Sequence, residues 1–391
     1  PVAASPLSFM FLIFPGALSR NKAIEKIKDA LDKDAASNSN GRPRRLFTCS
    51  EIIHMKTTVY NLCTNKHAEY SNCSAEVYRR YGEIYQKYLT STVLPELLEA
   101  RRTAPLRGRI SLLKEFVRRW RHHEIMTFWL EKFFLYLEQW YTKHAYVPKL
   151  RQVSMQRFKS IVYNQVKEET TMALITLIGK DRRGDGVDRK LIKSAVEVYE
   201  ILGIDSLESY LNDLEAPLLN STREHYAGLH HDWTAKFSRS SYLAEADSAF
   251  ECEDRIVSSY LNQSTKPKIF QILKEELLDT VRGEFFDANG YVIRGMIACD
   301  RFAELQRLFK LFSENNACIS LLLDSYKDFI RTVGNICTDE RIQGAFYNKC
   351  LLLAEKCFGG HANFVKAFLE TFLDRSTNED AARLVMAFLG P

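Results

Sequence analysis

The sequence predicts an all-α fold, a run of helices in series that form an elongated helical-repeat array, and three observations carry this. Proline is sparse: between residue 16 and the last residue only Pro43, Pro95, Pro105, Pro148, Pro217 and Pro267 occur, and none lies between Lys268 and Gly390. Proline lacks a backbone donor and clashes with the preceding helical turn, so long proline-free tracts rich in Leu, Glu, Lys, Arg and Ala favour helix. Apolar residues recur at helical spacing through most of the chain. Period-2 alternation flanked by hairpin dipeptides, the signature of paired strands, is nearly absent.

Taken in order, Ala23–Leu31 (AIEKIKDAL) is amphipathic. Ser50–Thr64 comes next, with Ser50 as a plausible N-cap. Ser71–Leu94 is long and tyrosine-rich. The stretch Arg101–Arg121 reads as a polar loop and then a helix whose apolar side (Leu112, Leu113, Phe116, Val117, Trp120) faces a core. In Met126–Tyr141, the residues Met126, Leu130, Phe133, Phe134, Leu137 and Tyr141 form one stripe. Trp129, Tyr136 and Trp140 widen it sideways, while Phe128 and Leu135 face away. A helix packed on one side needs an apolar arc of only about 100°. This helix therefore has apolar surface to spare and is either buried all round or offers a second face to a partner. Ser154–Ile178 carries Phe158, Ile161, Val162, Val166, Leu174 and Ile178. Asp188–Leu202 opens on a capping Asp and closes at Gly203. Glu245–Leu261, Ile269–Phe286, Phe302–Phe312, Phe346–Phe358 and Phe364–Leu373 complete the series. Breaks fall at 35–43, 100–109, 143–149, 181–186, 264–267, 287–290 and 359–360. This rhythm of short helices suits an array that serves as a rod or binding surface.

Composition narrows the function classes. Over 391 residues, 46% are hydrophobic, 26% charged and 12% aromatic, an ordinary globular mix. A net charge of +5 is too mild for a dedicated nucleic-acid binder. Nine cysteines, an odd number without any CxxC pair, point to reduced, partly buried thiols of an intracellular protein. The apolar run Leu7–Phe14 is broken by Pro15-Gly16 and is short of the roughly 20 residues that span a bilayer. No Lys or Arg precedes it, as a secretory signal would require. Residues 1–20 read as an extension outside the main fold, and no membrane association is expected.

Reactive chemistry is not visible. His122-His123 and His230-His231 are adjacent pairs that point in different directions on a helix, so histidines are expected to be solvent-facing or satisfied. No HExxH or GxSxG frame occurs, and the polar turn Gly179–Gly186 lacks the phosphate-loop frame. No catalytic residue, cofactor or metal set is expected.

The segment Thr57–Thr64 (TTVYNLCT) resembles the second helix of a cullin. In the same order, Tyr88–Pro95 (YLTSTVLP), Phe116–Trp140, Phe158–Asn164 (FKSIVYN), Gly184–Leu202 and Tyr347–Leu373 resemble later cullin segments. The similarity covers about residues 22–389, strongly to about residue 263, and is to plant members of the class that pairs with Skp-type adaptors and F-box proteins.

That resemblance implies a stalk of three five-helix cullin repeats: residues 21–150, which bind the adaptor, then 151–265, then a shortened 266–391. It implies a non-catalytic scaffold of an SCF-type ubiquitin ligase in cytoplasm and nucleus. In the family the adaptor docks on the second and fifth helices of the first repeat. Carried over, these are Ser50–Thr64 and Ile125–Tyr141, with Ile52, Met55, Lys56, Val59, Phe128, Leu135, Tyr136 and Trp140 as adaptor-binding residues. Two departures stand out: the family class places tyrosines where this chain has Ile52 and Lys56. The family's RING-binding region and its modified lysine lie beyond Pro391, so these residues alone should not recruit a RING-box protein. A competing expectation places nucleic acid or an acidic partner on Arg101–Arg121.

Overall fold

The computed structural model describes residues 47–64, 73–102, 108–287, 289–336 and 340–373. The extension at 1–20 and the helix expected at Ala23–Leu31 lie outside them. Among the described residues every regular element is helical and none is a strand. The chain forms two compact units, Pro1–Leu218 with Ser259–Leu261, and Leu219–Ser258 with Asn262–Pro391.

The first unit contains α1 (Cys49–Thr64), α2 (Cys73–Tyr88), α3 (Leu94–Arg102), α4 (Gly108–Phe133), α5 (Leu150–Phe158), α6 (Asn164–Arg182) and α7 (Arg189–Ile201). Pro95, expected to lie just past a helix end, sits inside a continuing helix. A π-helical turn at Leu89–Val93 joins α2 to α3, and the Leu94 N–H donates to Leu89 O. The donor that proline lacks falls where the ladder is already shifting register, so the helix passes through. A second wide turn at Lys159–Tyr163 joins α5 to α6, so the helix expected at Ser154–Ile178 extends at both ends.

The tyrosines of α2 are core residues. Tyr81, Tyr85 and Tyr88 are buried. Each buried phenol needs a polar partner: Tyr81 donates to Leu150 O at 3.3 Å and Tyr85 pairs with Thr127 Oγ1 at 3.1 Å. In the same way Tyr199 shares its hydroxyl with Thr170 and Thr171 at 2.8 Å. Asp188 caps α7 as expected, accepting from Leu191 N at 3.1 Å. Gly203 is not the left-handed C-cap that the sequence suggests. The positive φ values belong to Ile204 and Asp205, and Gly203 is needed because a Cβ there would run into the carbonyl oxygen of Ser206.

The second unit takes up within α8 (Ala216–Lys236) and continues through α9 (Arg239–Tyr260), α10 (Lys266–Leu273), α11 (Arg282–Phe285), α12 (Tyr291–Ala298), α13 (Phe302–Phe312), α14 (Asn316–Ile336), α15 (Glu340–Leu352) and α16 (Ala362–Leu373). Its core gathers Leu305, Leu308, Leu322, Tyr326, Phe358 and Phe364. Phe358 stacks on Phe364 at 4.1 Å, and Tyr326 donates to Cys350 O at 2.8 Å. Helices α8, α12 and α14 are not among those expected from the sequence. In α14 the signal is present: Cys318, Leu322, Tyr326, Phe329 and Ile330 keep helical spacing, and all are buried.

Candidate interaction face

The face begins with how α1 is held. Thr48 and Glu51 form a capping box, in which Thr48 N donates to Glu51 Oε2 at 2.8 Å and Glu51 N donates to Thr48 Oγ1 at 3.3 Å. Thr48 is therefore the cap, and Ser50, the expected N-cap, lies in the first turn. Thr48-x-x-Glu51 is the signal that marks the true start.

Met55 and Val59 turn inward, 4% and 0% exposed. They support the helix from below and cannot touch a partner, so their expected place among the contact residues is corrected. The reason is angular. Both lie on the arc that α1 presents to its own unit, and the opposite arc carries Ile53 at 62% and Tyr60 at 51% exposure. Ile53 is absent from the residues expected at the face, although its seven-residue spacing from Tyr60 places the two on one side. Ile52 and Lys56 are half-buried on the margin between these arcs. Lys56 forms no ion pair among the described residues.

The opposing wall comes from α4, which unites the two helices expected over Leu112–Trp120 and Met126–Tyr141. Backbone bonds from Phe134 N to Leu130 O and from Glu138 N to Phe134 O carry it past Phe133 into a π-helical turn at Leu137–Tyr141. Met126, Leu130, Phe133, Phe134 and Leu137 are buried, as their stripe predicts. Phe128, Leu135 and Tyr136 are half-buried, and Trp140 is 58% exposed. The wide turn rotates its own later residues away from an ideal helical wheel, which carries Trp140 outward and takes Tyr141 off the buried stripe. The Trp140 ring stacks on His144 at 6.0 Å.

One contact ties the two walls together: Tyr60 and Tyr136 meet edge to face, ring centres 5.4 Å apart. Behind them, Phe47 packs edge-on against Trp129 and Phe133, at 4.7 and 5.2 Å. Lys132 Nζ lies 4.1 Å from the Phe128 ring centre, so the stripe Phe128–Lys132–Leu135 carries a cation on an aromatic face. The result is a partly exposed aromatic and aliphatic surface with two lysines, Lys56 and Lys132, at its edges. Such a surface suits the burial of an apolar protein surface with acidic groups at its rim.

The basic stretch looks different once folded. Arg101 pairs with Glu169 at 2.6 Å, Arg102 with Glu99 at 3.7 Å, Arg118 with Glu115 at 2.5 Å, and Arg119 with Glu115 at 2.7 Å and with Glu96. Among the described residues of this stretch, Arg109, Lys114 and Arg121 remain outside ion pairs, which weakens the expectation of a nucleic-acid surface. No group of three or more metal-ligating side chains occurs among the described residues. His123 departs from the expectation of satisfied histidines: it is fully buried, both ring nitrogens lack a hydrogen-bond partner, and burial pushes its pKa down to about 3. No helix among the described residues is long and apolar enough to cross a membrane.

Comparison with known proteins adds the family. A family model described as the Cullin alpha solenoid domain matches residues 46–388. The chain is 27% identical to Cullin-1 of Oryza sativa subsp. japonica over 375 residues, covering 90% of this chain and 48% of that protein. It is 28% identical to Cullin-2 of Arabidopsis thaliana over 349 residues, covering 83% of this chain and 46% of the relative. It is also 27% identical to Putative cullin-like protein 2 of Arabidopsis thaliana, covering 83% of this chain and 87% of that one. The chain thus spans about half the length of Cullin-1 and Cullin-2.

Proposed function

This chain belongs to the cullin family, and from that premise we propose that it is a scaffold subunit of a cullin-RING ubiquitin ligase of the SCF type, whose α1–α4 face grips a Skp-type adaptor carrying an F-box protein. It contributes position rather than chemistry. On this reading the chain comprises three cullin repeats over 21–150, 151–265 and 266–391, works in cytoplasm and nucleus, and would join a RING-box protein only if the family's RING-binding region accompanies it.

The observation that supports the proposal is the exposure of Ile53, Tyr60 and Trp140, with Tyr60 packed on half-buried Tyr136, on the two helices that the family resemblance matches to the adaptor-binding pair. Well-packed aromatic anchors of this kind contribute about 2 kcal/mol or more to an interface. Calorimetry with a purified plant Skp-type adaptor bound to an F-box protein tests it. Tyr136→Ala with Trp140→Ala should weaken binding by roughly 30-fold or more. Unchanged affinity in the double variant rejects the face; absence of binding by the parent chain rejects the partner class.

A further inference from the structure

Lys56 stands one turn before Tyr60 on α1, and Lys132 stands one turn before Tyr136 on α4. Residues four apart on a helix are neighbours on its surface. The Tyr60 and Tyr136 rings meet at 5.4 Å, so each ring of this pair has a lysine beside it on its own helix. Both lysines are half-buried, and neither forms an ion pair among the described residues. Elsewhere in the same unit cations find acids: Arg79 and Arg80 pair with Glu76 on α2, and Arg118 pairs with Glu115 earlier on α4. The acids of the two helices are engaged elsewhere or turned aside. Glu51 Oε2 accepts from Thr48 N at the α1 cap, and Glu138 Oε2 accepts from Leu150 N at 2.8 Å. Glu131, next to Lys132 in sequence, lies about 100° round the helix from it and makes no ion pair with either lysine. Lys132 has some compensation, with its Nζ 4.1 Å from the Phe128 ring centre and 5.1 Å from that of Trp129. Lys56 has no such ring contact among the described residues.

A partner that covers Ile53, Tyr60 and Tyr136 also covers these lysines. An ammonium stripped of water without a counter-charge is costly, so a neutral or basic surface is penalised there and an acidic one is not. A second copy of this chain would set the same cation-bearing face against itself. We infer that Lys56 and Lys132 are the specificity-determining residues of this face, which accepts a partner surface whose apolar patch is rimmed by Asp or Glu carboxylates. The inference rests on the adaptor reading above: the Skp-type adaptors this chain accepts are those that bring such acids against the two lysines. Opposite charge steers the encounter and separates right partners from wrong ones. Lys56 carries more of the selection than Lys132, because aromatic rings already hold part of the Lys132 charge.

The test is calorimetry of the whole chain with a purified plant Skp-type adaptor bound to an F-box protein, at about 50 and about 500 mM NaCl, where screening differs strongly. The parent should bind about tenfold more weakly at the higher salt. At the lower salt, Lys56→Glu should weaken binding about tenfold, and Lys56→Glu with Lys132→Glu about 30-fold or more. Lys56→Arg should stay within about threefold of the parent, since the charge is kept. Parent affinity that ignores salt, or a double variant that binds like the parent, overturns the inference and leaves the adaptor reading standing. Equal losses in Lys56→Arg and Lys56→Glu overturn it too, because shape rather than charge then decides. Absence of binding by the parent at both salts removes the adaptor reading and this inference together. Sedimentation of the chain alone should show a monomer; self-association abolished by Tyr60→Ala assigns the face to a second copy and overturns the inference. The salt series of the parent decides even if a variant fails to fold.

Discussion

His123 makes the folded chain sensitive to acid in a way that can be worked out from its surroundings. The ring sits among Phe158, Tyr85 and Trp120, with centres 4.8, 5.1 and 5.8 Å away. Burial is the main cause that pushes its pKa down to about 3; the neighbouring Ser154 backbone opposes this, and the Arg151 charge adds to it. In the unfolded chain an imidazole titrates near 6.5. Between these values the unfolded chain holds the proton and the folded chain does not. Stability from this group is therefore complete above about pH 6.5 and is lost as pH falls towards 3. Going from pH 7.5 to 5.0 the linkage integral comes to about 2 kcal/mol. His123→Leu, close in volume, removes the titration and leaves an apolar side chain among the rings. Urea unfolding at the two pH values should show the parent losing about 2 kcal/mol more than the variant on acidification. Equal losses in both proteins, or an imidazole NMR titration of the folded parent centred near 6.5, would refute the reasoning.

Other contacts give further expected outcomes. Asp181 is buried and accepts from Arg189 at 2.8 and 3.1 Å and from Tyr260 at 3.1 Å; Asp181→Ala should cost about 1–3 kcal/mol by thermal or denaturant unfolding, since it removes the buried acceptor of these hydrogen bonds. Gly203→Ala should destabilise the first unit by about 1–3 kcal/mol, read from the same melts, because the new methyl meets the Ser206 carbonyl. Thr48→Ala removes the α1 cap, and should cost about 1 kcal/mol and raise hydrogen exchange in the first turn of α1. If the chain binds nucleic acid through Arg101–Arg121, the three described cations outside ion pairs, Arg109, Lys114 and Arg121, contribute a salt slope of about −2.7; a slope near −7 would show that the arginines leave their acids to bind.

Proline spacing and the 3.6-residue period are local properties of the chain. They establish the helical class and much of the core, placing Met126, Leu130, Phe133, Phe134 and Leu137 inside before any neighbour is known. They also point to an aromatic surplus on the same helix. Which apolar side chains remain for a partner is set by packing instead. A helical wheel treats Ile52, Met55, Lys56 and Val59 as one arc. The covered part of that arc depends on where α2 and α4 pack, so Met55 and Val59 go inward while Ile53 and Tyr60 stay out. The wheel also assumes 100° per residue, and the wide turn at 137–141 breaks that assumption just where Trp140 leaves the core. Charge behaves in the same way. The arginines of 101–121 look like a free basic patch in one dimension, but Glu96, Glu99, Glu115 and Glu169 come to meet them in three. Propensity and periodicity act along the chain, whereas exposure and ion pairing are set by whichever distant residues the fold brings alongside.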